Sequence, residues 1–374
     1  MRKIAAFMLA IIIGVTGIGL AVTGRSEAII QKKFNKLAAS KEVRGLWIGF
    51  CDFGKLGLKN KSESEFRRNF ASLLNKAKAN GINTVYFHVR AFHDASYRSK
   101  YFKASAYLTS RRGLGKNVFK NYDPLSIVVK ECKQRNIECH AWMNPYRITY
   151  EKFLNPAKES STADIKKAVS EVMKYGVDGI HFDDYFYHSK GNYVDVSTGE
   201  TSSGKISSGQ KRSNCNAMVK SIYKYVHKLD SDAKFGISPQ GNYGNCMASG
   251  ADVKKWLNKS RYIDYIVPQI YWTDNWSSSG NVRMYSIRLA LWKAINKNKT
   301  DMMVGLALYR TGKNQSDDRG WGRKKTNLYE QVKKLRKAGM KGYVLFSAPN
   351  LSDSRCSAEL ANLREKGGIG VAGH

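Results

Sequence analysis

Two adjacent carboxylates close an apolar run at Asp178-Gly179-Ile180-His181-Phe182-Asp183-Asp184, and Tyr185, Phe186 and Tyr187 follow directly. Read as a strand, Ile180 and Phe182 face one way, and Gly179, His181 and Asp183 face the other. One apolar and one polar face suit a barrel wall, apolar against outer helices and polar toward the lumen. Acids at the carboxyl end of such a strand sit where barrel enzymes keep their chemistry. Aromatics beside carboxylates point to a sugar, because sugar rings stack on aromatic faces and paired acids cleave glycosidic bonds. Adjacent carboxylates repel, so one of the two is expected to hold its proton near neutral pH, as a general acid must. The competing reading is structural, with Asp183 or Asp184 capping the next helix.

The elements that must position this pair follow from the hydrophobic pattern. Strand-like runs lie at 43–50, 82–90, 137–144, 178–184, 233–239, 263–271, 301–309 and 342–347. Helical patterns separate them, at 63–79, 123–135, 162–175, 209–229, 251–258, 282–298, 327–338 and 357–364. Strict alternation of eight strands and eight helices predicts an α/β fold, a (β/α)₈ TIM barrel. Face parity agrees: Val85, Phe87 and Val89 alternate with Tyr86, His88 and Arg90, and Phe235 and Ile237 alternate with Gly236, Ser238 and Gln240. Two connections, 91–122 and 185–208, are long, and loops of such length in a compact domain are usually functional or mobile.

Each strand delivers polar or aromatic residues at its carboxyl end. The catalytic candidates are Asp183 and Asp184. The candidates for substrate binding are Trp47, His88, Arg90, Asn144, Tyr146, Arg147, Tyr185, Gln240, Gln269, Tyr271, Trp272 and Tyr309. Together they describe a polar, aromatic-lined cleft at the barrel mouth. Arg90 and Arg147 could lower both Asp pKa values or bind an acidic sugar.

Composition narrows the partners. The formal charge is +33, from 63 basic and 30 acidic residues, with the lysines scattered along the chain. Such a charge attracts polyanions. No nucleic-acid recognition motif is present. Arg2 and Lys3 precede an uncharged run of 20 residues from Ile4 to Thr23. Residues 1–24 therefore read as a signal peptide or an N-terminal membrane anchor, 25–41 as a basic linker and 42–374 as the barrel. The expected location is extracytoplasmic, secreted or anchored at the cell surface. A cell-surface polyanion is the better partner. Six cysteines permit disulfides in that setting, with a 132–139 bridge one option and buried free thiols another. There is no Cys-x-x-Cys, and the sequence calls for no metal or cofactor.

The segments 43–47 (VRGLW), 140–147 (HAWMNPYR), 177–187 (VDGIHFDDYFY), 235–239 (FGISP), 262–272 (YIDYIVPQIYW) and 305–309 (GLALY) resemble the glycosyl-hydrolase-like family 10. The resemblance runs over about residues 42–350 and implies an exported bacterial TIM-barrel glycoside hydrolase. It further implies action on cell-wall glycan, in particular peptidoglycan strands stripped of their peptides, and a catalytic region at Asp183 and Asp184. The chain departs from the pattern at Gln240-Gly241-Asn242 and at His188. Its seventh strand ends Leu306-Ala307-Leu308-Tyr309 without a carboxylate, which weakens a mechanism with two opposed acids. Substrate-assisted chitinases offer an analogy, with Asp183 matching the acid that orients an acetamido group. Two other readings stand beside this one. A metal-dependent polysaccharide deacetylase could draw ligands from His88, His93, Asp94, His181 and Asp183. A barrel without chemistry could simply bind wall glycan.

Overall fold

A computed structural model describes residues 42–114, 118–119, 121–188, 191–203 and 206–367. The expected signal or anchor and the basic linker lie outside the described residues. Eight parallel strands close into a barrel in sequence order: β1 (Val43–Ile48), β2 (Thr84–Arg90), β3 (Glu138–Met143), β4 (Gly179–Phe182), β5 (Lys234–Ile237), β6 (Tyr265–Ile266), β7 (Asp301–Leu306) and β8 (Gly342–Leu345). β8 returns to β1, with Val43 opposite Gly342 and Leu46 opposite Leu345. The expected (β/α)₈ fold is therefore the observed one.

The helices sit where periodicity put them: α1 (Glu63–Ala79), α2 (Pro124–Lys133), α3 (Glu159–Met173), α4 (Ser208–Leu229), α5 (Val253–Asn258), α6 (Met284–Ile295), α7 (Asn327–Lys337) and α8 (Ser357–Lys366). Their starts are written locally. Ser62 and Glu65 form a reciprocal capping box for α1. Asp123 caps α2 with Pro124 at its first turn. The strand faces pointing outward, among them Val85, Phe87, Ile180, Phe182, Phe235, Ile237 and Val304, join the helices in the main core.

The lumen is packed, and part of it is polar. Trp47, Tyr86, Trp142, Tyr265, Val267, Met303 and Val344 fill it. The Trp47 indole N–H donates to His181 Nε2 at 3.2 Å. The other His181 nitrogen, Nδ1, lies 3.1 Å from the Tyr265 hydroxyl. That hydroxyl is 2.8 Å from His140 Nδ1. Glycine at 236 is what admits the Tyr265 ring, since a Cβ there would sit 2.2 Å from it.

Both long connections carry small sheets. Asp94–Ala95 pairs with Lys103–Ala104 after β2. After β4, Asn192–Val194 pairs with Thr201–Ser202 and also with Lys152–Leu154, which belongs to the connection after β3. All six cysteines are free thiols, five of them buried, so the optional 132–139 bridge is not formed.

Candidate active site

A cleft of about 300 Å³ opens at the carboxyl ends of the strands. Trp47, Phe50 and Cys51 form one side, from β1 and the turn after it. Trp142, Asp183, Asp184, Tyr185, Ser238, Gln269, Tyr271 and Phe346 complete the lining. The acidic pair reaches the cleft because β4 ends at Phe182. The Asp183 N–H still donates to the Met143 carbonyl at 3.1 Å, and the chain then turns, with Asp183 Oδ1 accepting the Asp184 N–H at 2.8 Å. The next helix begins only at Ser208, capped by Ser207. Neither aspartate is a helix cap.

Asp183 is held from across the cleft. Gln269 Nε2 donates to its Oδ1 at 3.0 Å and to the Ser238 carbonyl at 3.1 Å. Burial raises the pKa of Asp183, while its hydrogen bonds and the Arg147 charge oppose that rise. Asp184 is pushed well above the carboxylate range by burial, then by the charge of Asp183 and a hydrogen bond with it. Asp183 is thus held by donors, and Asp184 is the member of the pair whose proton is held more strongly. That is the division of labour an acid and its partner need.

Arg147 stands beside the pair. Its guanidinium lies 4.2 Å from the Tyr185 ring centre and 4.4 Å from that of Phe92. His88 lies beneath, stacked on Trp142 at 3.8 Å, with its Nδ1 accepting the Phe50 N–H at 3.4 Å. Burial and the Arg147 charge lower its pKa to about 3, so this ring is a neutral support. Asn144 is fully buried and donates to the Ala91 carbonyl at 3.0 Å. Tyr309 stands behind the wall, edge-on to Tyr271 and Phe346.

Besides His88, Asn144, Arg147 and Tyr309, which flank the cleft without lining it, four expected cleft residues lie further away. Arg90 points outward, because a β-bulge between His88 and Arg90 sets it opposite Met143 and reverses its face. It pairs with Asp164 on α3 at 2.8 Å. Tyr146 is fully buried against Phe186, since β3 ends at Met143 and strand parity does not extend past it. Gln240 accepts from Asn245 at 3.1 Å in the segment after β5. Trp272 turns to the helical layer, 5.6 Å from the Arg288 guanidinium. Tight Ile270-to-Pro268 and Tyr271-to-Gln269 backbone bonds break the alternation there.

Five lining residues are not among the expected ones: Phe50, Cys51, Trp142, Ser238 and Phe346. Trp142 carried a signal, sharing lumen parity with His140 on β3, and Phe346 shares parity with Val344. Phe50 and Cys51 lie on a 3₁₀ turn, where no period applies. Asp52 lies close by, but its carboxylate accepts from the Gly49 N–H and the Ser347 hydroxyl. The residues considered as metal ligands are separately engaged: His93 with Asp164, Asp94 with the Ala91 and Phe92 N–H groups, and His181 with Trp47 and Tyr265. Among the described residues no three His, Cys, Asp or Glu side chains gather as a metal site.

The profile of the family described as Glycosyl hydrolase-like 10 matches residues 42–152 and 150–323. The chain belongs to this family. A curated relative, "Glycosyl hydrolase YngK" of Bacillus subtilis, is 27% identical over 364 residues, covering 84% of this chain and 68% of the relative. "Glycosyl hydrolase DigH" of Escherichia coli K12 is 26% identical over 346 residues, covering 76% and 77%. Solved structures share the family's barrel. An endo-1,4-beta-mannanase from Rhizomucor miehei superposes with a TM-score of 0.56 at 13% identity, over 86% of this chain and 93% of that one. The PgaB glycoside hydrolase domain from Bordetella bronchiseptica gives 0.53 at 12% identity, over 86% and 98%. At those identities the likeness is one of fold.

Proposed function

We propose that this family member is an extracytoplasmic glycoside hydrolase that cleaves bacterial cell-wall glycan, with peptide-stripped peptidoglycan strands as its substrate. One observation carries the reading. Among the described residues the only carboxylates lining the aromatic cleft are Asp183 and Asp184, both on one wall at the end of β4. Asp184 holds the proton and donates it to the leaving oxygen. Among the described residues no carboxylate lines the opposite wall to attack C1 or activate water there, as ordinary retaining and inverting enzymes require. The substrate's own 2-acetamido oxygen fills that role: it bonds to C1 as the glycosidic bond breaks, while Asp183 accepts the acetamido N–H. Water then opens the cyclic intermediate, with Asp184 taking its proton. Wall glycan carries such acetamido groups.

The test is digestion of purified, peptide-stripped peptidoglycan, with the released sugars read by mass spectrometry. Cleavage with EDTA present supports the hydrolase. Release of acetate that stops with EDTA would instead identify a deacetylase. Pelleting with the wall and no new reducing ends would leave a binding barrel.

A further inference from the structure

The cleft does not end at its own lining. Phe50, in its wall, meets Phe92 at 5.1 Å and Tyr107 at 4.6 Å between ring centres, both edge-on. Phe92 and Tyr107 lie nearly parallel at 5.6 Å. Tyr150 joins Phe92 at 5.1 Å, and its hydroxyl is 3.1 Å from that of Tyr107. The four rings come from the turn after β1 and the connections after β2 and β3. Arg147 ties this strip back to the acidic pair, with its guanidinium 4.8 Å from Tyr150, 4.4 Å from Phe92 and 4.2 Å from Tyr185.

A strip that only fastened loops together would hide its rings. Instead Tyr150 leaves 63% of its surface in water, and Phe50, Phe92 and Tyr107 are only half-buried. Exposed, clustered aromatics with free hydroxyl capacity suit sugar rings, which stack on the flat faces and bond to the hydroxyls. The cleft is small: about 300 Å³ is the lower end of the range of ordinary small-molecule sites, roughly 300–1,000 Å³. A polymer bound at Asp184 must run on over a neighbouring surface, and this strip adjoins the cleft through Phe50 and Tyr185.

We infer that Phe50, Phe92, Tyr107 and Tyr150 form an outlying glycan subsite that holds sugars beyond those flanking the scissile bond, so that the protein selects long chains. This rests on the glycan-hydrolase reading above. Arg147 acts within it as a positioning residue, stacking the strip against Tyr185.

The test compares kcat/KM on stripped wall oligosaccharides of four and of twelve sugars, and the affinities of both for an Asp184→Asn protein. Wild type should favour the longer chain by roughly tenfold, the order expected for one truncated aromatic anchor at an interface. In Tyr150→Ser, which removes only an exposed ring, and in Tyr107→Ala/Tyr150→Ala, that preference should fall to about twofold or less, with the melting temperature of Tyr150→Ser unchanged. Wild-type cleavage without length preference, or a preference intact in Tyr150→Ser, overturns the subsite and leaves the hydrolase reading in place. If wild type neither binds nor cleaves any wall glycan, both fall together. Retention of Tyr150-dependent binding to a wall protein but not to glycan would reassign the strip to a protein partner and overturn it as stated.

Discussion

Asp184 is a carboxyl group in a place that resists its charge, and that makes two kinds of measurement informative. Replacing Asp183 or Asp184 by Asn should lower the rate of reducing-end release from stripped glycan by about 10²–10⁴, the range for losing an acid or base. Stability should move the other way. The folded pKa of Asp184 is raised, so the folded state binds more protons than the unfolded one once pH exceeds the ordinary carboxylate range. Wild-type stability therefore falls as pH rises through that window. Asp184→Asn has no such loss, and it should melt higher than wild type at pH 8 and about equally at pH 4. Equal melting at both would mean that Asp184 ionises freely. The Arg147 charge lowers the pKa of both members of the pair. Arg147→Gln should accordingly shift both limbs of the pH–kcat/KM profile to higher pH.

Among the elements, β2 shows what the sequence could and could not disclose. Its alternation of Val85, Phe87 and Val89 with Tyr86 and His88 was legible and correct, because a period of two is a property of the chain alone. The bulge that turns Arg90 outward is set by pairing with β3, and no pattern within β2 records it. The same divide runs through the site. Gln269 and Tyr271 come from a stretch that reads as a strand, yet only Tyr265–Ile266 is one. Beyond it lie Pro268, which has no N–H to donate, and tight local bonds that let Tyr271 face the cleft while Trp272 leaves it. Trp142 was legible by parity, whereas Phe50 was not. The outward Arg90 also makes a prediction. Its Nη2 bonds to Asp164, and its Nε and Nη1 have no hydrogen-bond partner among the described residues. Burial would raise the Asp164 pKa, but the His93 hydrogen bond and the Arg90 charge outweigh it and hold the group at about 2. The pair's contribution is present above the ordinary carboxylate range and is lost as pH falls toward that value. Asp164→Asn strands a buried charge and should destabilise by about 3–5 kcal/mol in urea unfolding at pH 7. Arg90→Met on top of it should recover much of that loss.

For the whole molecule, the net charge of +33 acts at a distance that no single residue covers. If the partner is an anionic wall polymer, pelleting with walls should weaken steeply as added salt shortens the Debye length below its physiological value of about 8 Å. Binding that ignores salt would make the basic surface incidental. Separately, the sheet formed by Lys152–Leu154, Asn192–Val194 and Thr201–Ser202 joins the connections after β3 and β4, with Phe153 bridged to Arg147. Two separate loops would each surrender conformational entropy when a glycan arrived, at roughly 1–2 kcal/mol per residue ordered. Pairing them moves that loss to the folding of the protein, so the rim beside Asp183 meets its ligand already ordered and keeps more of the contact energy as affinity.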